Sequence, residues 1–231
     1  MLPIKDTIRS RTFPIVNWIL VIANVLVFLF ELSLSSNQLE GIINRFGLVP
    51  ARLDLFNPLT WYPVISHMFL HGGWFHLLSN LWIFLIFADN VEDRMGSGRF
   101  LLFYLTGGIA AGLIQGIVTM DPFTPSIGAS GAIAAVLGAY ILMFPRARVI
   151  TLILLVIIPW VIELPAILYL GFWFVSQLFS GVTSLSAEAG AWGGVAWWAH
   201  IGGFIYGLVM ARIFTIGRRQ TRWYPDEYFP Y

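Results

Sequence analysis

The sequence predicts an all-α, polytopic membrane protein built as a bundle of six transmembrane helices. Three observations carry that prediction. Of the 231 residues, 58% are hydrophobic and only 11% charged, whereas soluble domains carry roughly a quarter charged residues. Apolar runs of about 20 residues recur along the chain, the length a helix needs to cross a bilayer core. The cations also segregate. With the N-terminus inside, the inside segments hold Lys5, Arg9, Arg11, Arg94, Arg99, Arg146, Arg148, Arg212, Arg218, Arg219 and Arg222. The outside segments hold only Arg45 and Arg52. This obeys the positive-inside rule and puts both termini in the cytoplasm.

The length suits one membrane domain over 1–231, with short cytoplasmic tails and no separate soluble domain. A net charge of +1 gives no reason to expect a nucleic-acid partner. The absence of cysteine excludes disulfides, thiol catalysis and thiolate metal sites. Span 1 is expected at Phe13–Leu32, retained rather than cleaved as a signal peptide. Ser33–Pro63, with Pro50, Pro58 and Pro63, is long for a connection and is expected to lie in the membrane interface with partial helices. Span 2 is expected at Ser66–Ala88, followed by a turn over Glu92–Gly98. Span 3 is expected at Phe100–Thr119, and the prolines of Met120–Pro125 break the chain. Span 4, Ala129–Phe144, is short and is stopped by Pro145.

The apolar stretch Val149–Leu185 exceeds one span. Its β-branched part, Val149–Ile158, is read as an interfacial segment on the cytoplasmic side, with span 5 at Glu163–Phe179. A seventh span is the alternative, but it would leave the basic tail outside. Gly181–Val195 is expected as a small-residue loop, and span 6 runs over Ala196–Ile213.

Polar side chains in hydrocarbon are costly and usually face the bundle interior. Span 2 has the densest set. His76 and Asn80 stand four apart on one helical face, and His67 and His71 share another. Histidines four apart are a common metal spacing, yet no carboxylate or cysteine stands nearby in sequence to complete a site, so no metal is expected. Helix–helix hydrogen bonds account equally well for any one of these histidines.

Ser130 opens span 4 among Gly128, Gly131 and Gly138, which leave one helix face nearly bare. Gly203 and Gly207 give span 6 a matching face, with His200 one turn before it. If the faces pack, His200 reaches Ser130 as a base reaches a nucleophile. Packing alone explains the glycines but not a histidine at the edge of the seam. No third triad member is evident, so a dyad is the economical reading. His76, Asn80 and the free Ser130 N–H of a first helical turn are candidate donors to an oxyanion.

Three separated motifs then match a known family. His71-Gly-Gly-Trp-Phe-His76-Leu-Leu-Ser-Asn80, Gly128-Ala-Ser130-Gly131 and Ala199-His200-Ile-Gly-Gly203 resemble the motifs of rhomboid intramembrane serine proteases, over about 61–210. Glu92-x-Arg94-x-Gly96 fits as well. The resemblance implies a six-helix rhomboid-like bundle with Ser130 as nucleophile and His200 as base and acid. It implies an oxyanion hole from His76, Asn80 and Ser130, and a site opening to the outer side without any cofactor. Substrates would be single-span membrane proteins, cut within or beside their transmembrane segments in the lipid bilayer. Trp173, Phe174 and the loop around Trp192 become candidates for a substrate gate. Two features depart from the family. Ala134 stands where many members carry an aromatic against the catalytic histidine, and the usual Trp-Arg pair between spans 1 and 2 is not evident. A catalytically inactive relative that binds transmembrane segments is the alternative. A transporter is disfavoured because no internal repeat is found. A prokaryotic plasma (inner) membrane is the expected location.

Overall fold

The computed structural model describes residues 1–155, 158–185 and 195–218. The long helices are α1 (Ile15–Leu32), α4 (Trp74–Met95), α5 (Ser97–Val118), α6 (Ser130–Met143), α7 (Ala166–Ser184) and α8 (Trp197–Thr215). Two shorter helices, α2 (Ser36–Phe46) and α3 (Pro63–Ser66), lie between α1 and α4. Of these, α1, α4, α5 and α7 are long and apolar enough to cross a membrane. The expected partial helices of residues 33–63 appear as α2 and two 3₁₀ turns, Pro50–Arg52 and Pro58–Thr60. A capping box starts α2: Ser35 and Gln38 bond each other's side chain and backbone.

α6 is the hub. Eleven of its fourteen residues are buried, and α4, α5, α7 and α8 pack around it. Its sequence explains why: alanines and glycines let neighbours close in near Ser130, while Tyr140 and Phe144 fill the opposite end. There Tyr140 meets Phe87 of α4 edge-on at 4.9 Å between ring centroids. α4, α6 and α8 all begin at the same end of the bundle, where α5 and α7 finish.

The expected turn at Glu92–Gly98 is narrower than the sequence suggested. Glu92 and Arg94 lie inside α4, and Gly96 alone breaks the chain, at φ 79°. Glu92 is buried because it serves another helix. Its carboxylate accepts the N–H groups of Val16 and Asn17 at 3.0 and 2.9 Å, capping the uncapped start of α1. Span 2 is also corrected. The helix begins only at Trp74, after Gly73 at φ 147°. His67 therefore sits in a 3₁₀ turn and His71 in irregular chain, so the two share no helical face.

The all-α expectation needs one amendment. Leu2–Asp6 (β1), Arg148–Leu155 (β2) and Ile158–Pro165 (β3) form an antiparallel sheet in the order β1-β2-β3. The stretch expected as an interfacial segment is thus a hairpin strand, and neither β2 nor β3 supplies a seventh spanning helix. The reason lies in the residues: β-branched side chains favour the pleated surface, and Pro159 and Pro165 forbid a continuous helix. β1 also follows α4, where Trp82 Nε1 donates to the Pro3 carbonyl at 2.7 Å.

Asp6 ties the sheet to the bundle, accepting from Asn90 Nδ2 at 2.9 Å and from the Tyr140 hydroxyl. Burial pushes its carboxyl up from 3.8 to about 7; the Tyr140 hydrogen bond opposes the rise and the nearby Asp89 charge adds to it. The folded chain therefore holds this proton up to about pH 7, while the unfolded chain releases it near 3.8. The stability this group contributes is present below the unfolded value and lost as pH rises through the folded one. In detergent, the unfolding temperature is expected to fall between pH 5 and pH 8. Asp6→Asn, which cannot titrate, should flatten that slope. An unchanged slope in the variant would refute the assignment.

Candidate active site

The loop before α6 is fastened to its neighbours by backbone pairing. Leu48 and Ser126 exchange N–H···O bonds of 3.0 and 2.9 Å, and Gly128 N–H donates to the His67 carbonyl at 2.9 Å. Gly128 adopts φ 120°, and a Cβ there would lie 2.6 Å from His76 Nε2 and 3.9 Å from Asn80 Nδ2. Both the backbone angle and the space require glycine. The chain leading into Ser130 thus runs directly against the two side chains of α4 that the sequence singled out.

Both of those side chains present donors. His76 Nδ1 accepts the Gly72 N–H at 3.2 Å, so in the neutral ring the proton sits on Nε2, the nitrogen facing Gly128. Asn80 is buried, and its Nδ2 has no hydrogen-bond partner among the described residues. A buried amide left unpaired calls for an explanation. Ala129, the residue before α6, supplies no side-chain cap, so the first-turn N–H groups also remain open.

α8 supplies the other half. A Cβ on Gly203 would strike the Gly131 carbonyl, and one on Gly207 would strike the Ala135 carbonyl, so the two backbones are in contact along this seam. At its upper end the turn holding Gly131 meets Ala199. The Ala199 N–H donates to Gln115 Oε1 of α5 at 3.1 Å, which fixes the start of α8. The residues next to Ser130 and His200, Gly131 and Ala199, are thereby brought into contact, and no hydrogen bond joins Ser130 to His200 among the described residues. Such bonds are often long before substrate binds.

His200 is held by a residue the sequence reading missed. Its Nδ1 lies 2.8 Å from Gln177 Oε1, and Gln177 Nε2 donates to Ser176 Oγ at 3.0 Å. With the amide oxygen facing the ring, Nδ1 carries the proton and donates, leaving the Nε2 lone pair free to act as a base. Trp173 lies over His200 at 6.0 Å and Trp197 meets it edge-on at 6.1 Å. These contacts replace the absent aromatic at Ala134, which is fully buried with its Cβ only 3.3 Å from where a Cβ on Gly203 would stand. A larger residue at 134 would push the seam apart. The signal for Gln177 was in the sequence: a polar residue four positions after Trp173, inside an apolar span.

The two gate candidates face inward. Trp173 packs on His200 and Phe204, and Phe174 stacks on Phe204 at 4.5 Å. The loop around Trp192 lies outside the described residues. The remaining histidines support the loop before α4. His67 Nδ1 is 2.8 Å from the Pro63 carbonyl, and the His71 N–H donates to the Glu31 carboxylate at 3.3 Å. Among the described residues no histidine–carboxylate cluster could hold a metal ion.

Replacing Gln177 by Leu should lower kcat about tenfold while leaving KM nearly unchanged, a typical effect of losing an orienting partner. Gln177→Glu keeps an acceptor oxygen and should recover most of the activity. Equal losses in both variants, tracking a drop in unfolding temperature, would reduce Gln177 to a packing residue.

Comparisons with known proteins give the family. The family model described as the rhomboid domain matches residues 58–216. YdcA of Bacillus subtilis (strain 168), which carries a rhomboid name, is 34% identical over 134 residues, covering 58% of this chain and 64% of its own. The rhomboid protease GlpG of Salmonella choleraesuis (strain SC-B67) is 27% identical over 221 residues, 94% of this chain and 69% of its own. The human presenilin-associated rhomboid-like protein, mitochondrial, is 30% identical over 131 residues, 56% of this chain but 33% of its own. The chain thus spans under two thirds of the length of some relatives it matches. The match covers every segment that converges here, from the loop before α4 to the end of α8, and this chain belongs to the rhomboid family.

Proposed function

We propose that the chain is an intramembrane serine endopeptidase working through a Ser130–His200 dyad. The observation that carries this reading is the His200 arrangement. Gln177 occupies Nδ1, and the glycine seam brings the ring's helix against the turn that holds Ser130. With Nδ1 held by Gln177, the Nε2 lone pair of His200 is the one left for a base.

In the proposed reaction Ser130 Oγ attacks the scissile carbonyl carbon while His200 Nε2 takes its proton. The carbonyl oxygen becomes an oxyanion held by Asn80 Nδ2, His76 Nε2–H and the Ser130 N–H. The C–N bond then breaks as His200 returns its proton to the leaving amine. Water, activated by the same imidazole, hydrolyses the acyl-enzyme and restores Ser130.

The six long helices alternate in direction, which fits six spans with both termini cytoplasmic, and the start of α6 then faces the outer side. α6 is about 21 Å long at 1.5 Å per residue, against a hydrocarbon core of about 30 Å. Ser130 accordingly lies below the outer surface, at a depth suited to single-span substrates cut within or beside their transmembrane segments. The relatives include bacterial and mitochondrial proteins alike, so a prokaryotic plasma membrane remains the expectation of the sequence alone. A fluorophosphonate probe tests the reading without a natural substrate. It should label Ser130 in the parent and not in His200→Ala. Equal labelling of both would remove His200 from the mechanism, and no labelling of the parent would favour an inactive relative that binds transmembrane segments.

A further inference from the structure

The two cations that stand on the outer side in the six-span reading, Arg45 and Arg52, line one cavity. It has a volume of about 410 Å³ and opens between α2 and the 3₁₀ turn at Pro58–Thr60, with Asn44, Leu59, Thr60 and Tyr62 also in its wall. Cations are depleted from outer loops, so two retained in one cavity call for a reason. Among the described residues neither is within ion-pair distance of a carboxylate. Asp54, two residues after Arg52, accepts the Phe56 N–H at 2.9 Å as part of its own turn. Arg52 Nη1 donates to the Asn44 carbonyl, which anchors that guanidinium at the rim and leaves its other N–H groups unassigned. The Arg45 guanidinium lies over the Phe46 ring, 5.7 Å from its centroid.

Beside the cavity the same loop pushes apolar side chains outward. Leu55, Leu59 and Phe56 are 80, 81 and 95% exposed, held out by a turn in which Asp54 N–H donates to Thr60 Oγ1 at 2.9 Å. Unpaired guanidinium groups next to projecting aromatic and aliphatic groups match one environment, the boundary between phospholipid headgroups and acyl chains.

We propose that this cavity binds the phosphate of an anionic phospholipid headgroup. Arg45 and Arg52 would meet the phosphate oxygens through N–H pairs, a geometry that planar guanidinium favours. Leu55, Phe56 and Leu59 would enter the acyl region beside it. The site lies in the loop between α1 and α4, so it anchors that loop and is independent of the Ser130 chemistry. It rests on the proposed six-span orientation for the leaflet it faces and for the argument from cations in an outer loop.

The test measures unfolding temperature and lipid retention in native mass spectrometry for the detergent-purified protein. The probes are dihexanoyl phosphatidylglycerol, dihexanoyl phosphatidylcholine and inorganic phosphate. Phosphatidylglycerol should raise the unfolding temperature by several degrees and remain on the protein. Phosphatidylcholine should do so less, and added salt should weaken the effect. R45Q/R52Q should lose the shift and one retained lipid per chain, while R45K/R52K should keep part of both. If inorganic phosphate alone reproduces the full shift, the site takes free phosphate and the lipid assignment is overturned. An unchanged phosphatidylglycerol shift in R45Q/R52Q, with the same unfolding temperature without lipid, overturns the site itself. The leaflet is read separately. Ser36→Cys, at the exposed start of α2 in a chain without other cysteines, reacts with an impermeant thiol reagent in sealed vesicles only from the side that α2 faces.

Discussion

Ser130→Ala and His200→Ala are each expected to abolish cleavage of a single-span substrate, a loss on the order of 10⁴-fold or more in kcat. The two residues act as one unit. Without the hydroxyl there is nothing to acylate, and without the Nε2 lone pair the hydroxyl stays protonated. The double variant should therefore be no worse than either single one. Neither change should unfold the chain. Ser130 stands at a helix start that has no side-chain cap to lose, and the seam holding His200 in place is made by Gly131, Ala135, Gly203 and Gly207. The measurement is cleavage in detergent and in liposomes beside the unfolding temperature. Cleavage surviving in either single variant would sink the dyad.

The parts of this arrangement legible in the sequence were those with a local signature. Apolar length marked five of the spans within a few residues but started span 2 eight residues early, and the glycines of span 4 with the Gly203 and Gly207 pair of span 6 marked faces that do meet. Features that depend on distant partners were harder to read. β2 pairs locally with β3, but its other edge is covered by β1, about 145 residues earlier in the chain, so that a sheet rather than an interfacial segment forms here was not legible from its own residues. Glu92 looked like a loop acid because its role, capping α1, belongs to a helix some 75 residues away. Gln177 was passed over because a lone amide in an apolar span acquires meaning only when a histidine stands opposite.

The buried polar groups also sort by whether they are satisfied. Glu92 is matched by backbone donors and by Ser97 Oγ at 2.6 Å, Asp6 by Asn90 and Tyr140, and His67 by the Pro63 carbonyl. The bonds of Glu92 and Asp6 tie separate segments together, the use expected of polar groups in a bundle whose helices gain little from apolar contact in lipid, while that of His67 is local. Asn80 Nδ2 is different: like Asn24 Oδ1, His71 Nε2 and the Trp197 and Trp198 indole nitrogens it has no partner among the described residues, and it stands directly beside the chain that leads to Ser130.

That contrast makes the Asn80→Ala experiment decisive between a structural and a catalytic role. An amide that served the fold would leave a gap, and its loss would lower the unfolding temperature and activity together. An amide kept for a transient oxyanion is a cost to the resting protein, because a buried unsatisfied donor destabilises by about 1–3 kcal/mol. Truncating it should therefore leave the unfolding temperature unchanged or raise it. The same truncation removes one of the donors to the oxyanion, worth about 10²- to 10³-fold in kcat. KM should change little, because the ground-state carbonyl oxygen makes weaker use of that donor than the oxyanion does. Activity and stability should then move in opposite directions on one substitution. A variant that loses both, or that keeps full kcat, would take Asn80 out of the oxyanion hole and leave His76 and the Ser130 N–H as its only proposed donors.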